Sequence, residues 1–296
     1  MLNIEERKDL RKIGIVMDST GYLSKDILEK LQISVVPLTV NIGDETFSEL
    51  ELSNVVFFEK LSHISGLPTT SQPPVGAFLQ TYESLFSQGV EEIVSIHLSA
   101  AISGTLHSAQ MAKDLASSSN IHIFDSKSSA LGLGALAWAA AEWAEEGLGA
   151  SEIMMNLDNL KQQTELYFIV NTLENLRKGG RIGGASALVG TLLQIKPILY
   201  FNQHAEIDLF DKVRSRSRAW QRVLDELTRA LSTGKRYRIC IMHVNIPIEG
   251  EILLNELQTR FPEHELHLFE AGAVIATHVG TGAFGLTFHP WPFKLR

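Results

Sequence analysis

A single cysteine, Cys240, stands in a chain of 296 residues, which excludes an internal disulfide framework and a metal cage built from cysteine. It lies inside the apolar run Ile239 to Met242, the setting of a buried core thiol. Positive charge is also short: 26 lysines and arginines face 34 carboxylates, a net charge of -8. With both signs spread along the sequence, no long-range attraction for nucleic acid or for an anionic membrane surface is expected. Long apolar runs are missing as well. The longest uncharged helical stretch ends at Glu142, well short of the roughly 20 residues that an integral membrane segment needs. Met1 to Lys12 is charged throughout, where a secretory signal would be apolar. The expected compartment is the cytoplasm. There is no Walker loop, no Gly-x-Ser-x-Gly elbow ahead of a helix, and no metal-spaced set of histidines and carboxylates. No internal repeat or low-complexity tract interrupts the chain.

What is present is apolar patterning. Hydrophobic residues make up 45% of the chain, and 296 residues suit one large or two ordinary domains. In the first half, short β-branched or aliphatic runs alternate with amphipathic helical patterns, as in a doubly wound α/β layer. Strands are predicted at Ile13 to Met17, Ile33 to Val40, Glu92 to His97 and Ile121 to Phe124, with Ser24, Ser53 and Pro74 marking helix starts. Gly43-Asp44 predicts a small hairpin. A helical stretch runs from about Lys127 to the break at Gly147 to Gly149 and restarts at Ser151, which puts a domain boundary near Gln163. From Tyr167 onward the order is mixed. Strands are predicted at Tyr167 to Val170, Lys196 to Phe201, Ile207 to Val213, Arg238 to Val244 and Glu265 to Phe269. Helices are predicted at Leu173 to Lys178, Ser186 to Leu193, Ser215 to Leu231 and Glu249 to Phe261. The expected fold class is α/β in two domains, a mostly parallel doubly wound sheet in 13–163 and a mixed α/β arrangement in 164–296. No long linker separates them, so they are expected to share an interface, a common place for a ligand cavity.

Four segments end a strand in small hydroxyl or glycine residues and then open a helix: Asp18-Ser19-Thr20, Thr69-Thr70-Ser71-Gln72-Pro73, Ser99 to Thr105, and Asp125-Ser126-Lys127-Ser128. Ordinary helix capping explains any one of them. Several converging on one edge of an open α/β sheet instead suggest an anion site, because free N–H groups and positive helix ends gather there. Thr69, Thr70, Ser99 and Ser103 offer neutral donors for a buried carboxylate, which needs hydrogen bonds to leave water. His97 follows an apolar run and reads as a hydrogen-bonded core histidine. His278 sits in a glycine-rich turn, where backbone can approach a ligand. Lys212, Arg214, Arg216 and Arg218 span a strand end and one helical turn of an acidic chain, a weak nucleic-acid signal. Arg177, Lys178 and Arg181 frame a glycine turn; a solvated helix end and a functional role are equally supported there. Gly132-Leu133-Gly134-Ala135-Leu136-Ala137 formally fits a dinucleotide fingerprint, but its glycines fall inside a helix and no strand ending in an acid follows about 20 residues later. Close helix packing explains them better.

The order of motifs carries a resemblance. Ile15-Val16-Met17-Asp18-Ser19-Thr20, Val36-Pro37-Leu38, Leu67-Pro68-Thr69-Thr70-Ser71-Gln72-Pro73, Ser95-Ile96-His97-Leu98-Ser99, Ile102-Ser103-Gly104-Thr105 and Asp125-Ser126-Lys127 closely resemble the DegV family. So do Leu173 through Ile182, Ile195-Lys196-Pro197-Ile198-Leu199, Lys212-Val213-Arg214 and His278-Val279-Gly280-Thr281-Gly282. The resemblance spans nearly the whole chain. It implies a DegV-like two-domain protein that keeps a long-chain fatty acid between its domains, with carboxylate-binding loops in the first and the second covering the acyl chain. It also implies a lipid-binding subunit with no cofactor and no chemistry of its own. The partner would be a separate fatty acid kinase that uses ATP to make an acyl phosphate. By the same resemblance the ligand-binding set is Thr69, Thr70, Ser71, Ser99, Ser103, Gly104, Thr105, His278 and Gly280, with Arg214 near the mouth of the site. Relatives commonly carry a second serine where this chain has Ala100 and a proline where it has Thr281. Where that serine would touch the carboxylate, this chain is left with Ser99, a threonine, a backbone N–H or water. Two other readings stand beside the carrier: an acyl-ester hydrolase pairing a serine with His97 or His278, and a nucleotide-binding regulatory module.

Overall fold

The computed structural model describes residues 12–64, 66–188 and 195–292. Its first half holds strands β1 (Ile13–Asp18), β2 (Ile33–Val36), β3 (Thr39–Ile42), β4 (Glu45–Ser48), β5 (Thr69–Ser71), β6 (Glu92–His97) and β7 (Ile121–Asp125). Four of these form a parallel sheet in the order β2-β1-β6-β7. Every residue of β1 is buried, as expected of a parallel strand covered on both faces. After the short helices α1 (Lys25–Lys30) and α2 (Asn54–Leu61), helices α3 (Val75–Ser87) and α4 (Thr105–Leu115) pack on one face, where Val16, Ile93 and Ile121 meet Phe78, Tyr82 and Ala109. Helices α5 (Leu131–Glu145) and α6 (Ala150–Lys161) take the other face.

The run predicted as one strand, Ile33 to Val40, is two strands in two sheets. Pro37 has no N–H and a fixed φ, so the ladder stops there, and the next amide, Leu38, donates to the Ser19 hydroxyl at 3.0 Å. The chain then enters a small antiparallel sheet, β4-β3-β5. Its hairpin turns at Gly43, whose φ of +60 suits glycine.

The second half builds one six-stranded sheet from β8 (Glu165–Ile169), β9 (Lys196–Phe201), β10 (Ile207–Val213), β11 (Tyr237–His243), β12 (Glu265–Glu270) and β13 (Phe284–Pro290), in the order β10-β9-β8-β13-β11-β12. Only β11 and β12 pair in parallel. The last strand, β13, occupies the middle of the sheet. The sequence does not announce it, because its glycine and its proline resemble a loop. Nor does it announce the short helix ahead of it, Ala273–Val279. The predicted helix Ser186 to Leu193 begins within a 3-10 turn, Gly183–Leu188, and its remainder lies outside the described residues. Beyond the short helix α7 (Glu174–Lys178), helices α8 (Arg216–Leu231) and α9 (Pro247–Arg260) cover one face of this sheet. Its other face turns toward α5. Among the described residues no helix is long and apolar enough to cross a membrane. Cys240 is buried and unpaired, and burial pushes its thiol up to about 12.

Helix α5 is buried along its whole length except at Glu142 and Glu145. It contacts β1, β6 and β8, and one apolar cluster joins its Leu131, Leu133 and Leu136 to Ile15 on one side and Leu199 and Met242 on the other. The helix begins only at Leu131, later than predicted, because Lys127 and Ala130 hold left-handed backbone with φ of 53 and 51. Its glycines permit close contact: a Cβ on Gly134 would stand 2.2 Å from the carbonyl oxygen of Gly21. Arg238, 1% exposed, ties the helix to the six-stranded sheet. Its guanidinium meets Glu142 at 3.0 Å and Glu265 at 2.8 Å, and lies 3.9 Å from the Trp138 ring centre.

Gly134→Ala forces backbone against backbone and should lower stability by about 1–3 kcal/mol. Gly132→Ala instead meets the Ser128 side chain, whose Oγ can turn aside while its Cβ, at 2.8 Å, must shift with its loop, so its loss should be smaller. Chemical denaturation midpoints check the ranking; an unchanged midpoint in Gly134→Ala would refute the packing account.

Candidate functional site

A cavity of about 440 Å³ lies between the loop edge of the parallel sheet and the open face of the six-stranded sheet. Strand alternation builds its floor, since every second residue points the same way. Leu166 and Phe168 of β8 stand opposite Thr287 and Gly285 of β13, and Met242 of β11 stands opposite Gly285 from the other side. Leu98, Ile102, Leu131 and Leu38 close it from the first half. This lining is mostly apolar.

Most of the polar lining is contiguous. Thr70 Oγ1 and His278 Nε2 are 2.8 Å apart. A Cβ on Gly179 would come 2.6 Å from His278 Nδ1, so glycine there makes room for the ring. The carbonyl of that same Gly179 accepts from Arg181, whose Nε also donates to the carbonyl of Ile102 at 3.1 Å. Ser103 and Gly104 follow directly, and the missing side chain of Gly104 leaves space for the Gln72 amide. Gln72 is fixed in turn by donating to Ser108 at 2.8 Å. Among the described lining residues Arg181 is the one cation, and none is a carboxylate. Its two backbone bonds leave further N–H donors on the guanidinium. The cluster therefore favours one anion.

His278 belongs to the last turn of α10 (Ala273–Val279). The start of that short helix is held from the first half of the chain: Val274 N donates to Glu49 Oε1 at 2.8 Å. Tyr22 OH donates to the same carboxylate at 2.5 Å and accepts from Ile275 N at 3.1 Å, and the Ser19 hydroxyl donates to Glu49 as well. Burial pushes the Glu49 carboxyl above its ordinary value. At the other end of α10, burial and then the nearby Arg181 lower His278 to about 4. The imidazole is neutral at pH 7.

Of the ligand-binding set implied by the resemblance, Thr70, Ser71, Ser103, Gly104 and His278 line the cavity. The others do not. Thr69 is exposed and accepts from Asn41 Nδ2 at 3.3 Å. Ser99 is fully buried, and its hydroxyl donates to the carbonyl of Ala205 at 2.8 Å. Thr105 shares a hydrogen bond with Ser103 at 2.9 Å. Gly280 ends α10 at a φ of +79. Arg214 is exposed, two residues before Arg216, which is held by Glu249 at 2.6 Å and by the carbonyl of Gly282 at 2.6 Å. Ala100 and Thr281 are exposed and stand off the cavity wall. Gln72 was passed over, although it lies within the Thr69–Pro73 hydroxyl run. Arg181 was seen only as one of three cations around a glycine turn.

A serine, histidine and aspartate do meet, though not at the cavity. His97 Nδ1 lies 3.4 Å from Asp18 Oδ2 and His97 Nε2 lies 2.7 Å from the Ser95 hydroxyl, which also bonds Tyr82 at 2.9 Å. All four side chains are fully buried, so no substrate reaches Ser95. Asp18 is occupied as well, accepting from Leu98 N at 2.9 Å and from the Thr20 hydroxyl at 2.6 Å. Among the described residues no group of three or more His, Cys, Asp or Glu is placed to hold a metal ion.

Residues 12–290 match the family described as "Uncharacterised protein, DegV family". A DegV domain-containing protein of Listeria innocua is 43% identical over 284 residues, 96% of this chain and 99% of its own. The crystal structure of DegV, a fatty acid binding protein from Bacillus subtilis, superposes with a TM-score of 0.87 at 37% identity, covering 95% of this chain and 99% of that one. A DegV family protein from Thermus thermophilus, described for its fatty acid binding, gives a TM-score of 0.87 at 30% identity, covering 94% of this chain and 99% of its own.

The neutral state of His278 has a consequence for stability. With its folded value near 4 against 6.5 when exposed, the unfolded chain binds a proton in that window while the folded chain does not. Stability therefore rises with pH between about 4 and 6.5 and is lost as pH falls through it, by on the order of 3 kcal/mol in all. His289, lowered to about 4 by burial and then by Arg238, acts in the same direction. Unfolding free energies measured across this window should show a shallower slope in His278→Asn than in the unaltered protein. Parallel slopes would mean that the ring is charged or solvated at pH 6.

Proposed function

The chain belongs to the DegV family, and from that premise we propose that it holds one long-chain fatty acid in this cavity and presents the carboxylate to a separate fatty acid kinase. The observation that carries the first part is a mostly apolar cavity whose polar lining, Ser129 and Thr287 apart, gathers in one cluster with one cation and no carboxylate among the described residues. The acyl chain lies along the floor of β8, β11 and β13, and the carboxylate meets Arg181, Thr70, Ser103 and His278. Burying about sixteen methylenes at roughly 0.8 kcal/mol each gives a gross term on the order of 12 kcal/mol, from which association costs are subtracted. A neutral hydrogen bond to the head adds about 0.5–1.5 kcal/mol and one from arginine about 1.5–3. The tail sets affinity and the head sets orientation.

The remaining residues of the set support this head group from behind. Ser99, Thr105 and Gly280 shape the loops that carry Ser103 and His278, Thr69 fixes β5, and Ser71 and Gly104 border the head directly. Arg214 serves the handover, as free positive charge for a developing phosphoryl anion. That the ATP chemistry belongs to a partner rests on the lack of a phosphate-cradling loop in this sequence.

Native mass spectrometry of the purified protein should show an adduct with the mass of one long-chain fatty acid per chain. Protein that is lipid-free and takes none up on addition would overturn the proposal.

The head and handover roles separate by mutation. Arg181→Gln should cost roughly tenfold to a hundredfold in affinity for a fatty acid and much less for its methyl ester, as fluorescence displacement would show. Arg214→Ala should leave both affinities unchanged yet lower acyl phosphate formation when a fatty acid kinase and ATP are supplied. An equal loss for acid and ester in Arg181→Gln would move the head group elsewhere, and full kinase support by Arg214→Ala would remove that residue from the handover.

A further inference from the structure

One hydroxyl in the apolar part of the cavity finds nothing to bond among the described residues. Thr287 is 1% exposed and lines the cavity, and its Oγ1 has no hydrogen-bond partner there. Its ladder neighbours are Leu166 on β8 and Cys240 on β11. Neither supplies a strong partner. β13 leaves α10 at Ala283, which lines the cavity together with Gly285 and Thr287. At about 3.4 Å per residue, Thr287 stands roughly 14 Å along the strand from Ala283, away from His278. Between them Gly285 presents no side chain, which leaves a path over the strand. Valine has the same shape as threonine and an equal liking for strands. It would also avoid the cost of a buried hydroxyl without a partner.

A hydroxyl both donates and accepts, so its natural complement is an oxygen on the bound chain. We infer that Thr287 is a recognition point for a hydroxyl or oxo group part-way along the acyl tail. The cavity then prefers oxygenated long-chain fatty acids to plain saturated ones. This rests on the fatty acid reading and specifies the ligand class.

The probes are stearate and a series of hydroxystearates with the hydroxyl moved along the chain, measured by calorimetry on the full protein. Unaltered protein should bind one positional isomer, or two neighbouring ones, about three- to tenfold more tightly than the rest of the series. Thr287→Val should erase that maximum while binding stearate at least as well, and Thr287→Ser, which keeps the hydroxyl, should retain it. Stearate binding with no positional maximum overturns this inference alone, as does a maximum that survives in Thr287→Val. If neither stearate nor any hydroxystearate binds, the fatty acid reading falls and this one with it.

Discussion

A helix that is apolar on every side has to be covered on every side, and α5 imposes that demand on the whole chain. Its alanines and glycines give it no polar face to show to water, so one sheet alone cannot bury it. The parallel sheet takes one flank and the six-stranded sheet takes another, and one apolar cluster runs through the helix from Ile15 to Leu199 and Met242. Arg238 completes the clamp between Glu142 of the helix and Glu265 of β12. A buried guanidinium is tolerable only while both carboxylates and the flanking rings of Trp138 and Trp291 stay in place. Its geometry therefore fixes where the second sheet sits relative to the first.

The cavity follows from this arrangement. The two sheets meet across α5, and beyond its first turn the space between them is bordered by small residues: Ala130, Ala283 and Gly285. The same join draws together segments far apart in sequence. Glu49 holds the start of α10, Asn54 Nδ2 donates to the carbonyl of Ala271 at 3.1 Å, and Ser99 reaches Ala205. Each bond crosses between the two halves of the chain and fixes a loop or helix end near the polar cluster.

How much of this the sequence disclosed depends on whether a signal was local. Strands β1, β6 and β7 are short runs rich in aliphatic residues, the Gly43-Asp44 turn marks its own hairpin, and the order of motifs identified the family. The hydroxyl loops were recognisable by composition, yet composition does not say where a hydroxyl points. Ser99 and Ser103 belong to one loop, but Ser99 turns to Ala205 while Ser103 lines the cavity. Helix α10 has no local cap to announce it, because its cap is a carboxylate 225 residues away. β13 reads as a loop because a central strand facing a cavity can carry glycine where a packed strand would carry a side chain. Arg181 and Arg214 look alike in sequence, and only the tertiary bond of Arg181 to Ile102, with its local bond to Gly179, distinguishes them.

The contrast between the two polar clusters shows what separates chemistry from support. Asp18, His97 and Ser95 have the order of a catalytic relay, but all lie within the packed parallel sheet, where their bonds brace the loops at its edge. The cluster around Arg181 has no nucleophile with its base and orienting acid, yet it faces an open volume. Neutral donors and a single arginine hold an anion without a fixed multiple charge, and the neutral His278 adds none. In a fatty acid carrier, such a head group is held firmly enough to be oriented and loosely enough to be transferred. On that reading the tail, held mainly by apolar surface, supplies most of the affinity. The walls around that tail are also the join between the two halves of the chain. In the proposed carrier, release of the whole lipid requires that join to open against the bonds of Glu49, Ser99 and Arg181 that link the two halves.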